Sequence, residues 1–180
     1  ICLQAFKPDV IGISLRNMKV GMPDKYTDDF QPQQDTILHI KSIFPEITII
    51  AGGTAFSLYA ESMMKRVPAI DIGMWGEAED RFPALLKSLN KPESIKGVYY
   101  RSGEDILFTG QPPQVDFPSL RLPRRDLVPH EPYLASSFVS VGIQAKRGCA
   151  LRCVHCSDTF LLVELKLPSN EVIDVFYLKQ

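Results

Sequence analysis

Three of the four cysteines of this chain crowd into eight residues near its end, in the run Gly148-Cys149-Ala150-Leu151-Arg152-Cys153-Val154-His155-Cys156. The spacing C-x3-C-x2-C brings three thiolates together on one short loop and supplies no obvious fourth cysteine. A structural zinc site takes four ligands in a closed shell. Iron–sulfur clusters also favour thiolates and normally take four of them. Three cysteines around a four-iron cluster would leave one iron open to a group that is not protein, as an enzyme needs if a cosubstrate is to reach the metal. Zinc held by Cys149, Cys153, Cys156 and His155 is the alternative, although His155 sits between two of the cysteines and its ring would have to fold back onto the same ion. A disulfide suits this spacing less well, since no secretory signal is visible. Cys2 is distant in sequence and reads as a buried thiol.

The elements that must position such a loop can be read along the chain. Phe138–Ala145 is an apolar, β-branched run that reads as a buried strand feeding the cysteines. Upstream, strands and helices alternate. Asp9–Leu15, Ile47–Ala51 and Ile70–Trp75 read as strands. Gln33–Phe44, Ser57–Arg66 and Ala78–Leu89 read as amphipathic helices, the first stopped by Pro45. Arg16–Pro32 is a long polar loop. This alternation predicts an α/β fold with a parallel sheet and helices on both faces. In such sheets ligands collect at the carboxyl ends of the strands, where Ser14, Gly52-Gly53-Thr54 and Gly76-Glu77 fall. Each also has a plain structural reading. Glycine pairs make tight turns, a serine can end a strand, and carboxylates such as Glu77 and Glu79 favour a helix start. His39 and His130 read as surface or packing residues.

Gly97–Arg101 and Ile106–Phe108 read as a hairpin turning at Ser102–Asp105. Beyond it, Pro112, Pro113, Pro118, Pro123, Pro129 and Pro132 supply six of the 14 prolines of the chain. So dense a run is expected to exclude helix and central strand and to act as an extended linker. The chain has 180 residues, 45% of them hydrophobic, with a net charge of −1. That composition fits a globular protein of one or two domains and carries no electrostatic footprint for nucleic acid or an anionic membrane surface. Apolar stretches fall far short of the ~20 residues that cross a bilayer. A cytoplasmic location is expected.

The cysteine loop resembles the cluster loop of the radical S-adenosylmethionine (radical SAM) enzymes. The resemblance implies that Cys149, Cys153 and Cys156 hold a 4Fe-4S cluster whose open iron is chelated by S-adenosylmethionine. It further implies that His155, in the place of the family's usual aromatic residue, lines the cosubstrate site. The preceding segments resemble the cobalamin-binding domain found ahead of the barrel in one radical SAM subgroup. The matching pieces are Pro8–Ser14, Ala51-Gly52-Gly53-Thr54, Trp75–Glu79 and Lys96–Arg101, in that order. The fold implied is Rossmann-like, or flavodoxin-like, over residues 1–110. A proline-rich linker over 111–137 and the first strand, cluster loop and first helix of a radical SAM β/α barrel over 138–180 would follow. Ser14, Gly52, Gly53, Thr54, Gly76 and Glu77 would then lie at the cobalamin, and the family's D-x-H-x-x-G ligand signature is absent.

The implied activity is a radical reaction such as methyl transfer to a small molecule, lipid or natural product. An external electron donor of flavodoxin or ferredoxin type would serve it, with no nucleic-acid partner and no membrane span. The alternative is a noncatalytic cobalamin carrier or sensor with a remnant cluster motif. A third reading is a zinc-stabilised interaction module. Both ends read as cut, and a complete barrel needs on the order of 200 residues. The 180-residue chain is therefore expected to be a fragment that is inactive alone.

Overall fold

The computed structural model describes residues 3–16, 30–116, 119–127, 129–135, 146–147 and 171–172. The chain divides into two compact units, Ile1–Val115 and Asp116–Gln180.

The first unit is built on a five-stranded sheet in the order β1-β2-β3-β4-β5. After a single helical turn, α1 (Leu3–Phe6), come β1 (Val10–Ser14), α2 (Gln31–Ile43), β2 (Thr48–Gly52), α3 (Thr54–Arg66), β3 (Ile72–Met74) and α4 (Phe82–Lys87). The hairpin β4 (Val98–Ser102) and β5 (Asp105–Phe108) completes the sheet. Strands β1, β2 and β3 run parallel, with Ser14 opposite Gly52 and Ile50 opposite Ile72. Strand β4 joins β3 antiparallel and β5 joins β4 antiparallel. The α/β fold expected from the sequence is therefore present, with an antiparallel hairpin extending the parallel core.

Side-chain alternation along the strands divides the core in two. On one face Ile50, Ile72, Met74 and Val98 are buried with Leu85 of α4, and Val10, Phe82, Leu89, Ile95 and Tyr100 pack around them. The opposite face carries Ile49 and Ala51, buried together with Phe56, Met63 and Met64 of α3. Gly73 on this face lies directly beneath the Phe56 ring. Helix α2 lies beside α3: Arg66 donates to the side chains of Gln34 and Gln31 at 2.6 and 3.0 Å, and its guanidinium sits 5.2 Å from the centre of the Phe30 ring.

Two elements are shorter than their sequence patterns suggest. Strand β3 begins at Ile72 because Asp71 turns its carboxylate onto β2, accepting from the Ile49 amide at 2.8 Å and pairing with Lys41 at 2.9 Å. Helix α4 begins at Phe82 because residues 78–81 form a turn around the buried Arg81 side chain. Helix α3, conversely, starts earlier than predicted, at Thr54 directly after Gly53.

The second unit contains a 3-10 turn at Arg125–Leu127, helix α5 (Glu131–Leu134) and a two-stranded ladder of β6 (Lys146–Arg147) and β7 (Glu171–Val172). The proline-dense run thus does form helical turns, against expectation. Pro132 is tolerated because it sits in the first turn of α5, where its missing amide leaves no helical hydrogen bond unmade. Residues 171–172, within the segment expected to hold the first barrel helix, are a strand: Val172 pairs with Lys146 and Glu171 with Arg147. Valine is well suited to a pleated ladder. The predicted strand 138–145 and the loop bearing Cys149, Cys153, His155 and Cys156 lie outside the described residues, as do most residues of the long polar loop.

Candidate functional site at the carboxyl ends of the parallel strands

Parallel pairing places the ends of β1, β2 and β3 along one rim of the sheet, so the predicted residues of the first unit converge there. Ser14 ends β1 and Gly52 ends β2, and the two are register partners. The main chain continues the lacing past them. Leu15 donates to the Gly52 carbonyl at 2.7 Å, and Ala55, in the first turn of α3, donates to the Leu15 carbonyl at 2.9 Å.

Gly53 must be glycine at this junction. Its φ is +97°, and a Cβ there would lie 2.6 Å from the Leu15 carbonyl oxygen and 3.0 Å from Ser14 Oγ. The Ser14 hydroxyl consequently sits over the Gly53 backbone. Gly52 is less constrained, since a Cβ at that position would meet Met74 at an ordinary 3.4–3.5 Å. Ser14 and Thr54 are exposed, whereas Gly52 and Gly53 are half-buried. The rim over β1 and β2 is therefore lined by four small residues that leave the backbone approachable.

The third loop, Trp75-Gly76-Glu77, is tied to the second by a residue that sequence reasoning did not single out. Ser57, 6% exposed on α3, donates its hydroxyl to the Gly53 carbonyl at 2.9 Å and accepts from the Gly76 amide at 2.9 Å. The Trp75 indole donates to the Ser57 carbonyl at 2.8 Å. Gly76 takes a φ of +74°, which lets the chain leave β3 sharply. The backbone of the loop is also fixed by the Trp75 amide donating to the Gly97 carbonyl at 2.8 Å.

Arg81 is the second residue missed. Its guanidinium, 7% exposed, donates to the carbonyls of Lys96 at 2.6 Å, Trp75 at 3.1 Å and Glu77. Burial pushes its pKa below the ordinary guanidinium value, with Asp80, Glu79 and Glu77 opposing that shift. In the sequence, an arginine among three acidic residues reads as a solvated charge cluster, and nothing in that pattern signals burial. Glu77 is half-buried in this loop, and the Glu79 carboxylate accepts from the Ala78 amide at 3.1 Å within the turn that precedes α4, not at a helix start.

The site thus assembles Ser14, Gly52, Gly53 and Thr54 at one loop pair and joins Gly76 and Glu77 to them through Ser57. Among the described residues no group of three or more histidine, cysteine or acidic side chains is arranged to hold a metal ion. His39 is exposed on α2, and His130 is half-buried just ahead of α5, where its carbonyl accepts from the Leu134 amide. No helix among the described residues is long and apolar enough to cross a membrane.

Comparisons with known proteins cover the segment that carries this rim. The chain is 27% identical over 161 residues to an uncharacterised methyltransferase of Pyrococcus horikoshii, covering 87% of this chain and 33% of that protein. It therefore spans about a third of the length of the curated relative it matches. The fold is similar to the radical S-adenosylmethionine methyltransferase TsrM of Kitasatospora setae, solved with a tryptophan substrate and an S-adenosylmethionine analogue, with a TM-score of 0.54. That likeness carries 16% identity and covers 61% of this chain and 21% of the other. Residues 3–86, which hold β1 to β3 and all three rim loops, match the B12 binding domain family.

Proposed function

We propose that this chain is part of a cobalamin-dependent radical SAM enzyme, with the corrinoid bound at the carboxyl ends of β1, β2 and β3. The observation that carries the reading is the coincidence of the B12 binding domain match, residues 3–86, with a rim built from small residues. Ser14, Gly52, Gly53, Thr54 and Gly76 offer two exposed hydroxyls and glycine backbone to a broad ligand, the cradle that a bulky cofactor requires. Ser14 and Thr54 would supply directional hydrogen bonds there, and Glu77 would border the third loop. Bound cobalamin supplies a cobalt centre that can take up and hand on a methyl group.

The cysteine loop extends the proposal. Cys149, Cys153 and Cys156 would hold a 4Fe-4S cluster and His155 would border S-adenosylmethionine, because three thiolates leave one iron for a non-protein ligand. The methyltransferase named among the relatives supports methyl transfer as the reaction class. The acceptor would be a small molecule, lipid or natural product, and electrons would come from a flavodoxin- or ferredoxin-type donor in a reducing cytoplasm.

Two measurements on anaerobically prepared protein test this. Titration with hydroxocobalamin, followed by visible absorbance, is expected to saturate at one equivalent per chain. Metal analysis after reconstitution with iron and sulfide is expected to give about four irons per chain. Corrinoid uptake without iron would leave the carrier or sensor reading. One zinc in place of iron would establish the interaction module.

A further inference from the structure

We infer that Ser57 is a positioning residue that sets the separation of the two glycine loops of the ligand rim, an inference that rests on the cobalamin reading above. Neither the sequence pattern nor the B12 binding domain match assigns this residue a role. A serine hydroxyl inside a helix commonly bonds back to the carbonyl four residues earlier, and Ser57 Oγ does so to Gly53 at 2.9 Å. Taken alone, that bond means little. The same oxygen also accepts from the Gly76 amide, which belongs to a different loop after a different strand. One buried atom thus joins the backbone of Gly53, at the end of β2, to the backbone of Gly76, at the end of β3.

The surroundings make this bridge hard to replace. Ser57 is buried, and its loss removes the acceptor that the half-buried Gly76 amide bonds. The Trp75 indole bonds the Ser57 carbonyl, which fixes the same turn of α3 against the same loop a second time. Arg81 also holds the carbonyls of Trp75 and Glu77. The loop is therefore held by two buried polar side chains, and of the two it is Ser57 that bonds the Gly53 loop. A ligand spanning both loops is bound tightly only while their spacing is preset, since ordering them on arrival would draw on its binding energy.

The test compares Ser57→Ala, Ser57→Thr and a remote core variant, Ile37→Ala, in the complete chain. Hydroxocobalamin affinity is measured by calorimetry, stability by urea unfolding, and Gly76 amide exchange by NMR without ligand. Ser57→Ala is expected to bind about tenfold more weakly, the factor that one ordinary hydrogen bond supplies. Its Gly76 amide should exchange about tenfold faster. Ser57→Thr should recover the affinity to within about twofold, and Ile37→Ala should bind as the parent does despite reduced stability. Parent-like affinity in Ser57→Ala, or an equal loss in Ile37→Ala, overturns the positioning role. Unchanged Gly76 exchange in Ser57→Ala overturns the bridge whatever the ligand. A parent chain that takes up no cobalamin overturns the functional reading instead, and the ligand-positioning role with it.

Discussion

The ring of Phe56 lies against Gly73 so closely that a Cβ on Gly73 would stand 2.2 Å from Phe56 Cζ. Phe56 is fully buried on α3 and Gly73 is in the middle of β3, so this contact sets how near the helix lies to the sheet. The same helix carries Thr54 and Ser57, with Gly53 just before it, to the proposed ligand rim. Gly73→Ala is expected to destabilise the fold by about 1–3 kcal/mol, the usual cost of overpacking a tight core. Urea unfolding measures it, and a loss below about 0.5 kcal/mol would mean that the helix retreats freely.

The two glycines at the end of β2 should behave differently. Gly53→Ala places a side chain at a φ of +97° and against the Leu15 carbonyl, and is expected to cost about 2–4 kcal/mol. Gly52→Ala meets only ordinary contacts with Met74, so a cost below about 1 kcal/mol is expected. If the rim binds cobalamin, Gly52→Ala still weakens uptake while the chain stays folded. Paired unfolding and titration curves for the two variants check the contrast.

Arg81 carries three carbonyls on one buried guanidinium. Arg81→Ala is expected to lose about 3 kcal/mol, because it removes charge-assisted hydrogen bonds and leaves their acceptors buried. Arg81→Lys should recover little of this. A single ammonium lacks the planar fork that spans Lys96, Trp75 and Glu77. Denaturant midpoints of the two variants against the parent provide the measurement.

The Tyr99 phenol is held above its ordinary value by burial and secondarily by the Glu61 carboxylate. The folded state therefore keeps its proton more tightly than the unfolded chain does. Stability attributable to this group is constant below the ordinary tyrosine value of 10.0 and falls as pH rises beyond it. Tyr99→Phe should flatten that alkaline slope without changing behaviour near neutrality. Thermal unfolding between about pH 8 and 11 tests the sign.

Cys153→Ala should abolish the iron–sulfur absorbance of anaerobically reconstituted protein, because two remaining thiolates cannot hold the cluster. Corrinoid uptake by the first unit should persist in the same variant. Retention of the full iron absorbance would remove the cluster assignment.

The parallel strands were legible because each is a short apolar run with a sharp boundary, such as Pro8 before β1 and the glycine pair after β2. The rim residues followed from strand direction alone. Helix α3 was harder to place, since its start depends on Gly53 adopting a positive φ rather than on a side-chain cap. Ser57 and Arg81 escaped notice for a common reason: their partners are main-chain atoms, which leave no trace in residue types. Asp71 likewise reads as part of a strand until its carboxylate is seen bonding to Ile49 and Lys41. In the second unit, Pro132 sits in the first turn of a helix and Val172 in a ladder, places that suit both residues and that a count of prolines or an expected barrel helix does not show.

Trp75 is the only tryptophan of the chain, and it is 7% exposed between the Ser57 carbonyl and the Phe108 ring, 5.7 Å away. It adjoins Gly76, so the one tryptophan of the chain, which can be excited apart from the tyrosines, stands at the border of the proposed ligand rim. Its emission will therefore follow the melting of the sheet and, if the rim binds cobalamin, the arrival of that guest through energy transfer to a strongly coloured corrin ring, with no label attached.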